Sequence, residues 1–261
     1  MKTYKYYTAL IIAMAMSSCM VFAQAPVRRI SNNNNSSTSH TNVATPPKRN
    51  VSNKPVPLNG YHEKTNTDGS VYKGNFKNGL YEGYGELTWF NYEHREVKYK
   101  GDFHKGKKEG HGVQICPDGE RYEGEFANDQ YNGWGTLYRG WFRHTGYFVN
   151  HAPYGEGTTY YDQHPKGTSA ENLLREEGFF KGFHMIKGTI YYYKDNSDGY
   201  EKYIGECDAN TSNPKGYGIM YYQDGRVYEG QWEHIPKGRG KMTYPDGRVV
   251  VGEFNGNTLV R

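Results

Sequence analysis

Histidine is the residue type of this 261-residue sequence best suited to metal binding or general-base catalysis, and there are ten of them. His94, His104 and His111 lie near one another in sequence. Zinc sites are usually marked by two histidines one helical turn apart or by C-x-x-C pairs, and the sequence contains neither. We therefore expect no metal site and no bound cofactor, with the histidines on solvated strand faces.

Glycine pairs such as Gly83-Tyr84-Gly85 could in principle cradle a phosphate group. A phosphate cradle needs a helix N-terminus behind the glycines, and no helical pattern follows them. The sequence also lacks the G-x-S-x-G and Cys/His signatures of nucleophilic catalysis. We therefore predict no catalytic residues and a protein that is not an enzyme.

Lysine forms one basic cluster, which is interrupted by Asp102 and Glu109. Such a cluster could meet acidic lipid headgroups, although a charge run more often marks a solvated face. The candidate lipid-binding residues are Lys98, Lys100, Lys105, Lys107 and Lys108.

Charge is distributed unevenly along the chain. Residues 1–58 hold seven basic residues and no acidic one, which leaves 25 basic residues against 28 acidic ones in the rest. The positive net charge of +4 therefore belongs to the N-terminal part. Nucleic-acid binding needs a clustered basic face, so we expect no nucleic-acid partner.

The N-terminus is typical of an exported protein. Lys2 and Lys5 precede an apolar run, and small residues around Ala23 offer a signal-peptidase site, so we predict a signal peptide at 1–23. Ser17-Ser18-Cys19 leaves open a lipoprotein anchored through Cys19. Residues 24–58 are rich in Asn, Ser, Thr and Pro and have little to bury, which predicts a disordered linker. The destination is then the periplasm, the cell envelope or the extracellular medium.

An internal repeat dominates the rest of the chain. A five-residue motif of the form Y-x-G-x-F/W recurs eight times with variations, and a G-x-G pair or single glycine follows each of the first seven copies. The motif copies begin at Tyr72, Tyr99, Tyr122, His144, Glu176, Tyr203, Tyr228 and Val250.

The spacing within the motif predicts β-strands. Tyr72, Gly74 and Phe76 are two residues apart and share one strand face, and the same alternation places Gly83, Gly85, Leu87 and Trp89 on one face of the next strand. A glycine on a buried face is explained if an aromatic ring lies over the bare backbone. Burying a ring at about 25 cal/mol per Å² then outweighs the glycine cost of about 1 kcal/mol.

Turn signals complete the fold prediction. Asp-Gly pairs, as in Pro117-Asp118-Gly119, separate the alternating runs and favour hairpins. We predict an all-β fold, an extended antiparallel meander of roughly fifteen strands over residues 59–261 with about seven and a half repeats. Polar Gly60–Ser70 is expected to cover the first sheet edge.

These residues carry a family resemblance. The order Y-x-G-x-F/W, G-x-G and an Asp-Gly turn resembles the MORN (membrane occupation and recognition nexus) repeat from about Val71 to Phe254. With the N-terminal signal, the chain looks like a secreted or envelope member of bacterial type. The resemblance implies a protein-binding or self-associating scaffold, and the name of the family also implies membrane binding.

Three functions follow as hypotheses. The leading one is a scaffold that binds a protein partner on an aromatic surface, with a homodimer formed through the terminal edge at Val250–Phe254. Membrane-lipid binding and extracellular glycan binding, the latter through Tyr191-Tyr192-Tyr193, are the alternatives. The candidate partner-binding residues are Trp89, Tyr161, Tyr192, Tyr222 and Tyr244.

Two further expectations concern single segments. The stretch 160–177 interrupts the repeat, and residues 170–175 could form a helical turn on a binding face. Cys116 and Cys207 are about seven strands apart, or about 34 Å, which is too far for a mutual disulfide. We therefore expect two reduced thiols.

Overall fold

The computed structural model describes residues 58–162 and 172–260, and its regular elements are all β-strands. The first nine strands are β1 Gly60–Thr65, β2 Val71–Lys77, β3 Leu80–Phe90, β4 Glu96–His104, β5 Lys107–Ile115, β6 Arg121–Ala127, β7 Gln130–Arg139, β8 Phe142–Val149 and β9 Ala152–Tyr161. The other eight are β10 Leu173–Lys181, β11 His184–Tyr192, β12 Tyr200–Cys207, β13 Pro214–Tyr222, β14 Val227–Glu233, β15 Ile235–Thr243, β16 Val249–Asn255 and β17 Thr258–Leu259.

Each strand pairs antiparallel with the next one along the chain, so the 17 strands form a single open meander. This confirms the predicted fold class. The count exceeds the expected fifteen because β1 and β17, which lack the motif, also pair. β1 has six exposed residues and pairs with β2, so the polar segment that was expected to cover the edge is itself a strand.

Two kinds of connection alternate along the meander. Tight turns such as Asn78-Gly79 have positive φ at both central residues, which matches the twist of the flanking strands. The longer loops carry the Asp-Gly pair, as at Asp118-Gly119, where Gly119 has a φ of 87°. The Asp118 carboxylate accepts a hydrogen bond from the Glu120 backbone N–H at 3.1 Å and so closes the loop.

One sheet face holds the core, and we call it the packed face. Its central row runs across neighbouring strands and alternates, in most units, a motif tyrosine with an aliphatic residue, as in Tyr72, Leu87 and Tyr99. The buried apolar side chains form two clusters, one from Tyr72 to Phe148 and one from Phe180 to Phe254. Between them the row carries His144, Thr159 and Glu176, all buried.

The first glycine of each G-x-G pair departs from the prediction. Gly83 was expected on the buried face beside Gly85, but it is exposed and has a φ of 68°. The strict alternation fails because three residues of β3, Glu82 to Tyr84, lie opposite the single residue Asn75 of β2. Such a bulge needs a left-handed residue, which glycine supplies.

The irregular stretch is mostly strand where it is described. β9 extends to Tyr161 and β10 begins at Leu173, and the two strands pair from Arg175↔Tyr160 onward. A helical turn at 170–175 is therefore wrong for Leu173–Arg175, because cross-strand pairing overrides the local helical preference. Residues 163–171 lie outside the described part of the chain, as do the predicted signal peptide, Cys19 and the linker up to residue 57.

The two cysteines of the repeat region are not bonded to each other. Cys207 is a free thiol, as predicted. Cys116 is disulfide-bonded, so the expectation of a reduced thiol is wrong there. The distance argument excluded only a bond between these two residues. No helix among the described residues has the length and apolar character needed to cross a membrane.

Candidate interaction surface

The motif tyrosines lie flat over glycine backbone on the packed face. A Cβ atom built on Gly85 would come within 2.5 Å of the Tyr72 hydroxyl oxygen, and one on Gly112 within 2.5 Å of Tyr99. The Tyr122, Tyr203 and Tyr228 rings occupy the same space over their own glycine pairs. These contacts bear out the predicted ring-on-glycine packing.

Each of these tyrosines also anchors the bulge beside it. The Tyr99 hydroxyl donates a hydrogen bond to the Asp102 carbonyl oxygen at 2.9 Å, and Tyr203 does the same to Glu206 at 2.7 Å. The accepting residue is the fourth of the motif, where the ladder register shifts. Phenylalanine could fill the same space but could not satisfy this carbonyl.

The side chain of the fourth motif residue usually closes the following bulge. Asp102, Glu206 and Gln231 each accept a hydrogen bond from the backbone N–H of the residue between the two glycines, at 3.2 Å. In the two central repeats this position is Tyr147 and Phe179 instead. Those two side chains turn outward, away from the packed face.

An exposed aromatic stripe results, composed of Trp134, Tyr147, Tyr154 and Phe179. The exposed fractions of these side chains are 48%, 51%, 50% and 38% in that order. Trp134 and Tyr147 meet edge to face with ring centroids 5.1 Å apart, and Tyr154 and Phe179 do so at 6.0 Å. Contiguous exposed aromatic surface in a soluble domain is typical of interaction sites.

We call the sheet face opposite the packed face the open face. Besides the aromatic stripe, it carries a row of alternating cations and tyrosines across β6 to β13. In this cation–tyrosine ladder, each cation lies over the ring of the tyrosine on the following strand. The pairs are Arg121 on Tyr138 (5.3 Å), Arg143 on Tyr160 (4.6 Å), Arg175 on Tyr191 (3.8 Å) and Lys202 on Tyr221 (4.5 Å).

The cations of the ladder differ in their acidic neighbours. Arg121 pairs with Glu123 and Arg175 with Glu177, each at 2.6 Å. Two residues after Arg143 and Lys202 the chain has Thr145 and Ile204 instead. Among the ion pairs of the described residues, neither Arg143 nor Lys202 takes part, and Arg143 Nε is buried without a hydrogen-bond partner.

A groove of about 680 Å³ lies between the ladder and the aromatic stripe, over β7 to β11. Trp134 forms one side, and Arg143 and Tyr160 form the other. Its floor carries hydroxyl groups from Thr145, Thr158 and Thr189, and its acidic members are Glu156 and Glu177. The groove thus combines an exposed indole, an unpaired guanidinium and neutral hydroxyl groups.

The predicted partner-binding residues lie on the other face. Trp89 and Tyr222 are buried in the core, so the expectation that they line an exposed surface is wrong. The alternation that placed them with the motif tyrosines is the reason, because that face is the packed one. Tyr161, Tyr192 and Tyr244 are half-buried there, and their role in partner binding stays a prediction.

The lysine cluster is partly dispersed. Lys98 pairs with Glu96 at 2.7 Å and Lys100 with Glu86 at 2.6 Å, while Lys105 and Lys107 are exposed at a hairpin. Lipid binding by these four residues stays a prediction.

Lys108 is buried and does not belong to that surface. It stands opposite Phe103, where Tyr81 and Tyr131 stand opposite Phe76 and Phe126 in the flanking units. Its Nζ lies 5.0 Å from the centroid of the Trp89 ring and donates to Gln114 Oε1 at 2.6 Å. Burial lowers the pKa of Lys108 to about 8.

A buried polar cluster separates the two apolar cores. Tyr161 donates a hydrogen bond to Glu176 Oε2 at 2.7 Å, and Glu176 Oε1 is buried without a partner. Burial raises the pKa of Glu176 to about 7 and lowers the pKa of His144 to about 4. Within 58–162 and 172–260, no three His, Cys, Asp or Glu side chains are grouped to hold a metal ion.

Fold and surface together define a class of protein, the single-layer β-repeat proteins. Such a protein packs its core on one face of the sheet and exposes aromatic and cationic side chains on the other. A family model described as MORN repeat matches four segments, residues 72–93, 99–121, 122–140 and 228–247. Each matched segment begins at a motif tyrosine. These four segments are thus similar to the MORN repeat, in agreement with the sequence resemblance.

Other comparisons add little. A comparison with curated protein sequences finds no match. Among solved structures, the TCP domain of SAS-4 (dCPAP) of Drosophila melanogaster, in complex with a proline-rich motif of Ana2 (dSTIL), matches at 15% identity and a TM-score of 0.32. The match covers 82% of this chain and 98% of that one. A TM-score this low supports no conclusion about fold or function.

Proposed function

We propose that this protein is a non-enzymatic scaffold that binds a protein partner outside the cytoplasm. The observation that carries the proposal is the aromatic stripe on the open face. MORN repeats are interaction modules, and the repeat leaves one face free while the other builds the core. The signal peptide predicted at residues 1–23 is the basis for proposing this compartment.

The alternatives have less support. Membrane binding through the lysine cluster would use four dispersed lysines, two of them paired with glutamates. Glycan binding generally needs an open aromatic face, but Arg175 lies 3.8 Å over the Tyr191 ring and Tyr192 is half-buried. A protein partner uses the exposed rings of the stripe without these obstacles.

Removing the stripe should abolish partner binding without unfolding the array. We expect the double variant Tyr147→Ser, Phe179→Ser to lose capture of the main partner from envelope or medium extracts, because exposed aromatic anchors carry much of the binding energy. The captured protein is then purified and its affinity measured by calorimetry, with at least a tenfold loss expected for the variant.

The matched control is Tyr84→Ser, since Tyr84 is 56% exposed against 51% for Tyr147 but lies outside the stripe. Equal losses for the control and the double variant would contradict the assignment of this surface. Binding of the wild type to anionic vesicles or to a glycan array, with no protein captured, would contradict the scaffold function itself.

Self-association is a second form of the same function. β17 pairs only with Phe254 and Asn255, and Val249 and Val251 of β16 are 52% and 73% exposed. An unblocked strand edge with exposed valines can pair with a second copy. We expect a dimer by light scattering at high concentration and a monomer for Val251→Lys, and a monomeric wild type would argue against it.

A further inference from the structure

The cation–tyrosine ladder has a defined spacing. Successive cations lie two strands apart, and Arg143 on β8 and Lys202 on β12 lie four strands apart. With strands about 4.8 Å apart, the distance between these two cations along the row is about 19 Å. Stacking on Tyr160 and Tyr221 restrains both side chains, so they present two ordered positive charges.

Arg143 is the strongest candidate to receive a ligand charge. Its Nε is buried without a hydrogen-bond partner, although a guanidinium normally satisfies its donors. The groove next to it offers the hydroxyl groups of Thr145 and Thr158. A carboxylate seated on the accessible part of the Arg143 guanidinium would neutralise a charge that takes part in no ion pair among the described residues, and charge-assisted hydrogen bonds of this kind are among the strong ones.

Other occupants fit the groove less well. The N-terminal 58 residues of this chain carry seven basic residues and no acid, so they would bring like charge to Arg143. An anionic lipid surface would set negative charge against Glu123, Glu156 and Glu177 all at once, whereas an extended segment with two separated acidic residues can place its neutral residues over these glutamates. An acidic sugar would find the face of Tyr160 covered by Arg143.

We propose that the groove over β7 to β11 binds an extended acidic segment of the protein partner, with one carboxylate on Arg143 and a second on Lys202. The inference rests on the proposed scaffold function and specifies the chemistry of the partner. The segment runs across the strands. An extended chain covers about 3.3 Å per residue, so about 19 Å corresponds to two acidic residues six positions apart.

Two probe peptides test this arrangement with the full chain. The first is the acetylated amide Glu-Ser-Val-Ser-Val-Ser-Glu, and the second has glutamine in place of both glutamates. Titrations are followed by fluorescence anisotropy and by NMR of the arginine Nε–Hε signals. We expect the acidic peptide to bind at least about tenfold more tightly than the neutral one. One arginine Nε–Hε signal should shift when the acidic peptide is added to the wild type. The same signal should be absent from the spectrum of Arg143→Gln, which assigns it to Arg143.

Variants on the same row provide the control. Arg143→Gln and Lys202→Gln should each weaken binding of the acidic probe by about tenfold. Lys98→Gln should leave it unchanged, because Lys98 lies on the same row at β4 but pairs with Glu96 and has no tyrosine beside it. Thermal melting of each variant verifies that the array stays folded.

Several results would overturn the inference. The inference fails if the acidic probe does not bind up to about 1 mM, or if the glutamine peptide binds as tightly as the acidic one. It also fails if Lys98→Gln weakens binding as much as Arg143→Gln does. Binding of oligogalacturonate or anionic vesicles in place of the peptide would overturn it as well. If Tyr147→Ser, Phe179→Ser abolishes partner binding while Arg143→Gln leaves it intact, the acidic segment is excluded and the scaffold function stands.

Discussion

Gly112→Ala is expected to destabilise the protein by about 3 kcal/mol, the upper part of the range for an overpacked core. The three atoms nearest to the new methyl group all belong to Tyr99, at 2.5 to 2.6 Å. The ring cannot move aside easily, because its hydroxyl is bonded to the Asp102 carbonyl and Phe103 and Phe126 contact it edge-on. Denaturant unfolding with circular dichroism measures the loss.

A double-mutant cycle separates the steric cause from a general glycine effect. In a Tyr99→Ala background, Gly112→Ala should cost less than about 1 kcal/mol, because the methyl group then enters vacated space. A cost that is the same in both backgrounds would show that the ring does not require the glycine. Tyr99→Phe should lose only the hydrogen bond, about 1 kcal/mol.

The second large effect is a pH dependence that arises from Glu176. The pKa of its carboxyl is raised from 4.5 to about 7 by burial, so the folded state binds the proton more tightly than the unfolded state. The stabilisation is then fully present below pH 4.5 and is lost as the pH rises through 7. A shift of this size corresponds to about 3 kcal/mol.

Glu176→Gln should remove this dependence. We expect the variant to match the wild type at pH 4.5 and to exceed its stability at pH 8 by several degrees in Tm. Other groups near Glu176 are Tyr161, Tyr192 and Cys207, and burial raises the pKa of each further above neutrality.

His144 has the opposite sign. Its pKa is lowered from 6.5 to about 4, so its contribution to stability grows as the pH rises through that window. That contribution is common to both proteins and cancels in their difference. Glu177→Gln is the control, because this neighbouring glutamate is partly exposed and paired with Arg175. A pH profile of Glu176→Gln that runs parallel to the wild type would contradict the assignment.

The fold could be predicted from the sequence because the residue types and spacing of the repeat determine its strands and turns. The spacing of Tyr72, Gly74 and Phe76 specifies a strand with one buried face, and the Asp-Gly loops specify the hairpins. The bulge at Gly83 could not be derived from alternation, since it depends on a register shift between two strands. Within β3, the bulge is recognised by the positive φ of Gly83.

Trp89 and Tyr222 were expected on an exposed surface and are buried for a related reason. Large aromatic residues in step with the motif tyrosine, such as Trp89, build the core, and those out of step with it face outward. Two signals were available in the sequence. The fourth motif residue changes from an acid or amide to Tyr147 and Phe179 in two repeats only, and a basic residue directly precedes the first motif position at Arg121, Arg143 and Arg175.

The meander has a consequence for how such a surface can vary in length. Every strand of the sheet is bonded only to its chain neighbours, so a hairpin can be duplicated or deleted without rewiring the remainder. Each hairpin of the ladder contributes one cation, and removing one would bring the flanking charges closer together by a fixed step of about 9.6 Å. The number of hairpins therefore sets the distance between the charges that the array presents, in steps of two strands.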